Sequence, residues 1–96
     1  MTPVAWTPQA LDDVQAIREY IARESAQYGE LMAQRFFRAV ERLAQFPDSG
    51  RMVPEYARPD LREVLEGVYR IVYRRLPNRV EIITVWHGAR LLQLEP

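Results

Sequence analysis

Apolar and polar positions alternate with period two over the stretch Val68 to His87, V-Y-R-I-V-Y-R-R, L-P-N-R, V-E-I-I-T-V-W-H. Val, Ile, Tyr, Thr and Trp dominate both runs, and these side chains suit a pleated, half-buried surface. Between the runs, Pro77 pre-sets a turn φ and Asn78 tolerates the left-handed conformation. The pattern predicts a β-hairpin. In the first strand Tyr69, Ile71 and Tyr73 share one face, and Val68, Arg70, Val72 and Arg74 share the other. In the second, strict alternation sets Val80, Ile82, Thr84 and Trp86 against Glu81, Ile83, Val85 and His87. One face of the hairpin is mostly apolar and is expected to lie on a core. The other mixes apolar residues with Arg70, Arg74, Glu81 and His87, so it is either partly solvated or reserved for a partner.

Upstream the period changes. Val4-Ala5-Trp6 is a short β-like run, and Thr7-Pro8 then signals a helix start, with Thr7 as N-cap and Pro8 at the first helical position. Asp12 and Asp13 lie near that N-terminus, where the helix dipole favours negative charge. Leu11, Val14, Ile17 and Ile21 recur at spacings of three and four, which predicts a helix from about Pro8 to Arg23 or Glu24. Ser25 is the next cap. Met32, Phe36, Val40 and Leu43, with Ala39 beside them, form a second stripe that ends at Phe46-Pro47, because the residue before a proline disfavours the α region. The short join around Ser25 to Tyr28 favours an antiparallel helical hairpin.

Pro47 to Pro59, P-D-S-G-R-M-V-P-E-Y-A-R-P, reads as a loop. Loops of this length are often functional, and a plain crossover from helix to sheet is the alternative. Asp60 to Glu66 suits either a helical turn or a strand, and the adjacent hairpin favours a strand. The order is then β-α-α-β-β-β: an α+β fold in which a small antiparallel sheet carries an N-terminal helical hairpin on one face. Residues 1–96 are read as a single domain, with no boundary or repeat.

Composition narrows the chemistry. Across 96 residues, 48% are hydrophobic, so a core is possible, and there is no cysteine to form a disulfide or thiolate metal site. No apolar run nears the ~20 residues of a membrane span, and the first residues lack a signal-peptide pattern. The expectation is a soluble, cytoplasmic protein. Its 13 basic and 13 acidic residues cancel, which argues against strong non-specific nucleic-acid binding. Residues 1–48 hold 5 Arg against 7 acids, and residues 49–96 hold 8 against 6, so the strand half is the positive one. Every basic residue is Arg; no lysine can serve as base or Schiff-base nucleophile.

Motif searches find no P-loop, G-x-G-x-x-G, H-E-x-x-H or nucleophile elbow. With one histidine and no cysteine, no metal site and no cofactor are expected. What remains is a set of arginines around one histidine: Arg62, Arg70, Arg74, Arg75, His87 and Arg90. A histidine beside phosphate-holding arginines fits a ribonuclease. It equally fits a strand-end residue with no chemistry.

Four segments together carry a resemblance. V-x-W-T-P-x-A-x-x-D opens the first helix, at Val4, Trp6, Thr7, Pro8, Ala10 and Asp13. R-L-x-x-F-P-x-x-G-R ends the second, at Arg42, Leu43, Phe46, Pro47, Gly50 and Arg51. L-R-E-V follows at Leu61 to Val64, and then Y-R-I-V-Y-R and V-E-I-x-x-V-x-H-G-A-R at Tyr69 to Arg74 and Val80 to Arg90. In this order, over nearly the whole chain, they resemble the RelE/ParE superfamily of type II toxin–antitoxin toxins, also called plasmid-stabilisation proteins. The tail Leu91 to Pro96 departs from the polar endings of that family.

The resemblance implies a growth-inhibiting toxin held by a cognate ParD-like or RelB-like antitoxin in a hetero-oligomer, with the same β-α-α-β-β-β fold. ParE-like members inhibit DNA gyrase without hydrolysis, and W-T-P-x-A, F-P-x-x-G-R and H-G-A-R look ParE-like. On that reading there is no catalytic residue, and Arg70, Arg74 and Arg90 are expected to meet the target. RelE-like members cut mRNA on the ribosome; here Arg62, Arg70 and Arg90 would clamp phosphate and His87 would be general acid or base, with Glu63 completing the set. A plain protein-binding module is the third reading. One helical hairpin cannot cover two apolar sheet faces, so Val68, Val72, Ile83 and Val85 are expected to receive an antitoxin segment that folds on binding.

Overall fold

A computed structural model describes residues 1–94; Glu95 and Pro96, the end of the tail, lie outside the described residues. The elements are β1 (Val4–Trp6), α1 (Pro8–Ala22), α2 (Ala26–Gln45), β2 (Arg51–Met52), β3 (Leu61–Glu66), β4 (Tyr69–Leu76) and β5 (Arg79–His87). Both helices start where their caps predict. The Thr7 hydroxyl oxygen accepts from the Ala10 N–H at 3.2 Å, and that of Ser25 accepts from the Tyr28 N–H at 3.1 Å. Phe46 caps the end of α2, immediately before Pro47.

The α2 stripe is buried as its period predicts: Met32, Phe36, Ala39, Val40 and Leu43. The α1 stripe is turned by one residue. Ala10 and Val14 are buried, Ile17 and Ile21 half-buried, and Leu11 is 45% exposed. Two polar ties set this rotation. The Thr7 hydroxyl donates to the Ile82 carbonyl at 2.7 Å, and the Asp13 carboxylate accepts from the Val85 N–H at 3.1 Å and from the Thr84 hydroxyl. Residues 10, 13, 14 and 17 therefore face the sheet, and Leu11 cannot. The two helices approach closely at Gly29, where a Cβ would stand 2.7 Å from the Arg18 carbonyl oxygen.

The sheet has the order β1-β5-β4-β3-β2. It is mixed, not purely antiparallel: β1 runs parallel to β5, and every other pair is antiparallel. The extra strand, β2, comes from the long Pro-rich stretch and pairs with β3 through Arg51↔Glu63 and Met52↔Arg62. A bulge interrupts β5, since Val72 pairs with Thr84 and Tyr73 with Ile82, leaving Ile83 as the extra residue. Strict alternation therefore fails beyond Ile82. Val80, Ile82 and Val85 all join the helix-side core with Ile71 and Tyr73. At the β4–β5 turn Asn78 does not use the left-handed region. Among the described residues, positive φ falls only on Ala57 (49°) and Gly67 (58°), the latter in the tight β3–β4 turn.

The second face of the sheet has its own small core, Val53, Leu61, Val72 and Leu92, with Tyr56, Ile83, Trp86 and Leu94 packed against it. The chain itself covers the part of this face around Val72, by folding the loop after β2 and the apolar tail back over it. This corrects the expectation of a bare apolar face, and it explains why Leu92 and Leu94 stand where a polar ending was expected. It also separates the four residues expected to share one surface. Val72 is fully buried under the loop and tail, Ile83 is half-buried beside it, Val85 lies in the opposite core, and Val68 is 62% exposed at the β3–β4 turn.

Candidate functional site

Of the charged residues singled out in the sequence, Arg70 and Glu63 meet on the second face, below the surface. Arg70, on β4, is buried. Its guanidinium donates to both Glu55 oxygens, at 2.8 and 2.7 Å, to Glu63 Oε1 at 3.1 Å, and to the Arg90 carbonyl at 2.5 Å. Glu63, on β3, is 1% exposed, and its other oxygen accepts from Arg51 Nε at 2.8 Å, with the Arg51 terminal nitrogen 2.6 Å away in the same ion pair. Two guanidiniums thus balance two carboxylates. Burial of unpaired charge would be prohibitive; pairing with several hydrogen bonds makes it tolerable. The hydrogen bonds from Arg70 hold the Glu55 carboxyl at about 2, against the opposing pull of desolvation. Glu55 reciprocally raises the Arg70 guanidinium above its ordinary value, so the charge stays on.

This network ties down the tail. The Leu92 N–H donates to Glu55 Oε2 at 2.8 Å, and the Leu94 N–H to the Tyr56 hydroxyl at 2.8 Å. The H-G-A-R segment turns back on the β3–β4 hairpin: the Gly88 N–H donates to the Val68 carbonyl at 2.7 Å, and a Cβ on Gly88 would stand 2.9 Å from that oxygen. F-P-D-S-G-R has an equally local reason. The Tyr73 hydroxyl donates to the Pro47 carbonyl at 2.8 Å and accepts from the Gly50 N–H at 2.9 Å. A Cβ on Gly50 would fall 2.5 Å from that hydroxyl. Burial pushes the Tyr73 hydroxyl up, which keeps it a donor. Arg62 is spent on the same loop, donating to the Pro59 and Gly50 carbonyls at 3.0 and 2.9 Å.

Of the five residues that a ribonuclease would use, the fold brings Glu63 and Arg70 together but closes them on each other. Arg62 clasps backbone, and only His87 and Arg90 are exposed. These two line a cleft of about 480 Å³ with Tyr20, Tyr69, Trp86 and Asp13. Tyr69 meets His87 edge-on, ring centroids 5.7 Å apart, and His87 Nδ1 accepts from the Ala89 N–H at 3.2 Å. The three arginines expected at a target are likewise split. Arg90 is exposed and Arg74 half-buried, while Arg70 lies beneath the tail rather than on a solvated face, because Glu55 and Glu63 draw it in. Glu55 and Arg51 are structural partners that periodicity did not reveal. Glu55 sits in an aperiodic loop, 15 residues from Arg70, and no spacing rule links the two.

Comparison with known proteins places the chain. A family model described as the ParE toxin of the type II toxin–antitoxin system, parDE, matches residues 4–92. The chain is 39% identical over 92 residues to "Toxin RelE2" of Caulobacter vibrioides, covering 95% of this chain and 100% of that one. It is 32% identical over 85 residues to "Putative toxin Y4kP" of Sinorhizobium fredii, covering 88% and 86%. A solved structure titled "Chromosomal ParDE TA system from P. aeruginosa" is similar in fold, with a TM-score of 0.75 at 22% identity over 91% of this chain and 96% of that one. The chain belongs to the ParE toxin family of type II toxin–antitoxin systems.

Proposed function

We propose that this chain is a toxin that inhibits growth by binding DNA gyrase, with no hydrolytic step of its own, and that a cognate antitoxin neutralises it. The observation that carries the reading is the closure of Glu63 and Arg70 on each other and on Glu55 beneath the tail. A carboxylate or guanidinium in that state cannot reach an RNA backbone unless the tail lifts. A general acid or base must come within hydrogen-bond reach of the proton it moves. Family membership supports the antitoxin partner.

One feature favours the second reading, a ribosome-dependent mRNA endonuclease. His87 and Arg90 share an open cleft with Tyr20 and Tyr69, a set suited to phosphate and base contacts. Purified protein separates the two. A gyrase inhibitor blocks supercoiling or traps gyrase–DNA cleavage complexes and leaves ribosome-bound mRNA intact. Cut mRNA with untouched supercoiling would move the chain to the endonuclease class. In cells, the first outcome comes with filamentation and the DNA-damage response, the second with an arrest of translation.

A further inference from the structure

Loop and tail cover only part of the second sheet face. Toward the β3–β4 turn that face is open, and Leu65 and Val68 are 57% and 62% exposed there. Two clefts run together over this area, of about 360 and 520 Å³, and share Arg51, Arg70, Gly88 and Ala89 as lining. Leu91, 69% exposed, closes the far end. The combined groove thus has an aliphatic floor and arginines, Arg51 and Arg90, at its margins. Its one lining carboxylate, Glu55, is taken by Arg70 and the Leu92 N–H. Beside the groove, β2 pairs only with Arg62 and Glu63 of β3, so among the described residues no strand lies along Val64, Leu65 and Glu66 on that side.

We infer that this groove is where the toxin docks its target protein, and that the docked element is a short extended segment carrying acidic and apolar side chains. The inference rests on the gyrase reading above. Charge complementarity selects the acidic side chains: Arg70 and Arg51 match Glu55 and Glu63, which leaves Arg90 as the groove's surplus cation. The open edge of β3 offers a strand position, and an extended segment can fill it while seating alternate side chains against Leu65 and Val68. The floor argues for protein over RNA. Single-stranded RNA is held by stacking its bases on aromatic rings; the exposed floor is aliphatic, and the two rings that also line the groove, Tyr69 and His87, are set edge-on to each other. Size argues for a transient target over a permanent partner, because the 13 residues that line the two clefts fall short of the roughly 20–30 residues a side of a stable interface.

The test compares the full chain with Leu65→Asp/Val68→Asp and with Leu65→Ala/Val68→Ala in gyrase supercoiling, ribosome-bound mRNA cleavage and binding to the antitoxin encoded beside it. All four substitutions are at exposed positions, and an unchanged unfolding midpoint verifies the fold. The Asp pair should weaken gyrase inhibition by at least about tenfold, and the Ala pair by less, with antitoxin binding retained. If wild type and Asp pair inhibit gyrase equally, the groove is not the docking site, although the gyrase reading stands. Loss of antitoxin binding with gyrase inhibition intact assigns the groove to the antitoxin and overturns the inference. Wild-type protein that leaves supercoiling untouched overturns both.

Discussion

The two faces of one sheet are sealed by different physics. On the helix side, Phe36, Leu43, Val40, Ile71, Ile82 and Tyr73 pack together with α1 and α2 above them, and the period of the sequence announces most of that contact. On the other side a four-residue apolar core sits beside Arg70, Glu63, Glu55 and Arg51, and the cover is a loop and a tail without period. The first face is held by apolar burial, which is insensitive to charge and tolerant of volume-conserving change. The second is held by matched charges, which fix one arrangement and fail when one member is removed. Two of the residues that a ribonuclease would use, Glu63 and Arg70, fall on this charged side and serve the architecture.

Breaking the helix face should cost most. Phe36→Ala removes a fully buried ring that meets Tyr69 edge-on at 5.5 Å, and denaturant unfolding should show a loss of roughly 3–5 kcal/mol. Arg70→Met strikes the other face and leaves Glu55 and Glu63 without their shared guanidinium; a loss of roughly 3 kcal/mol is expected. The two variants differ in rescue. Adding Glu63→Gln should recover part of the Arg70→Met loss, since it removes the surplus buried negative charge left when Glu55 and Glu63 face Arg51 alone, and should not rescue Phe36→Ala, whose deficit is a cavity. Equal response of both variants to Glu63→Gln would erase the contrast between the faces.

On the second face acid should act through Glu55. The Glu55 carboxyl is lowered from 4.5 to about 2, chiefly by the hydrogen bonds from Arg70. A depressed carboxyl contributes stability that is fully present above the unfolded value and is lost as pH falls toward the folded one. Wild type should therefore lose on the order of 1–2 kcal/mol from this group between pH about 4.5 and 2, after allowance for solvent screening. In Glu55→Gln that part of the slope should vanish, as read from unfolding midpoints across the window. The smallest effect belongs to Leu11→Gln. This residue lies on the periodic stripe but is exposed, and its substitution should shift stability by no more than about 0.5 kcal/mol.

Those contrasts mark what was legible in the sequence. The caps at Thr7 and Ser25, the α2 stripe and the β4–β5 hairpin rest on local rules, and local rules can be read from a few residues. The rotation of α1 was hidden, because Asp13 reads as a dipole-facing acid until a bulge near Ile83 presents the Thr84 hydroxyl and the Val85 N–H to it. The same bulge reversed the faces of β5. The cover over Val72 was hidden for another reason: prolines announce a loop but not where it lands. The buried role of Arg70 depends on Glu55, a partner that only the folded loop supplies.

His87 gives the most direct test of the claim that this toxin works without hydrolysis. It is exposed at the end of β5, so His87→Ala should leave the fold intact. Growth inhibition by that variant, with supercoiling blocked in vitro as by the parent protein, is the predicted result. Toxicity lost together with a fall in mRNA cleavage by roughly the 10²–10⁴-fold that general acid–base catalysis supplies would contradict it.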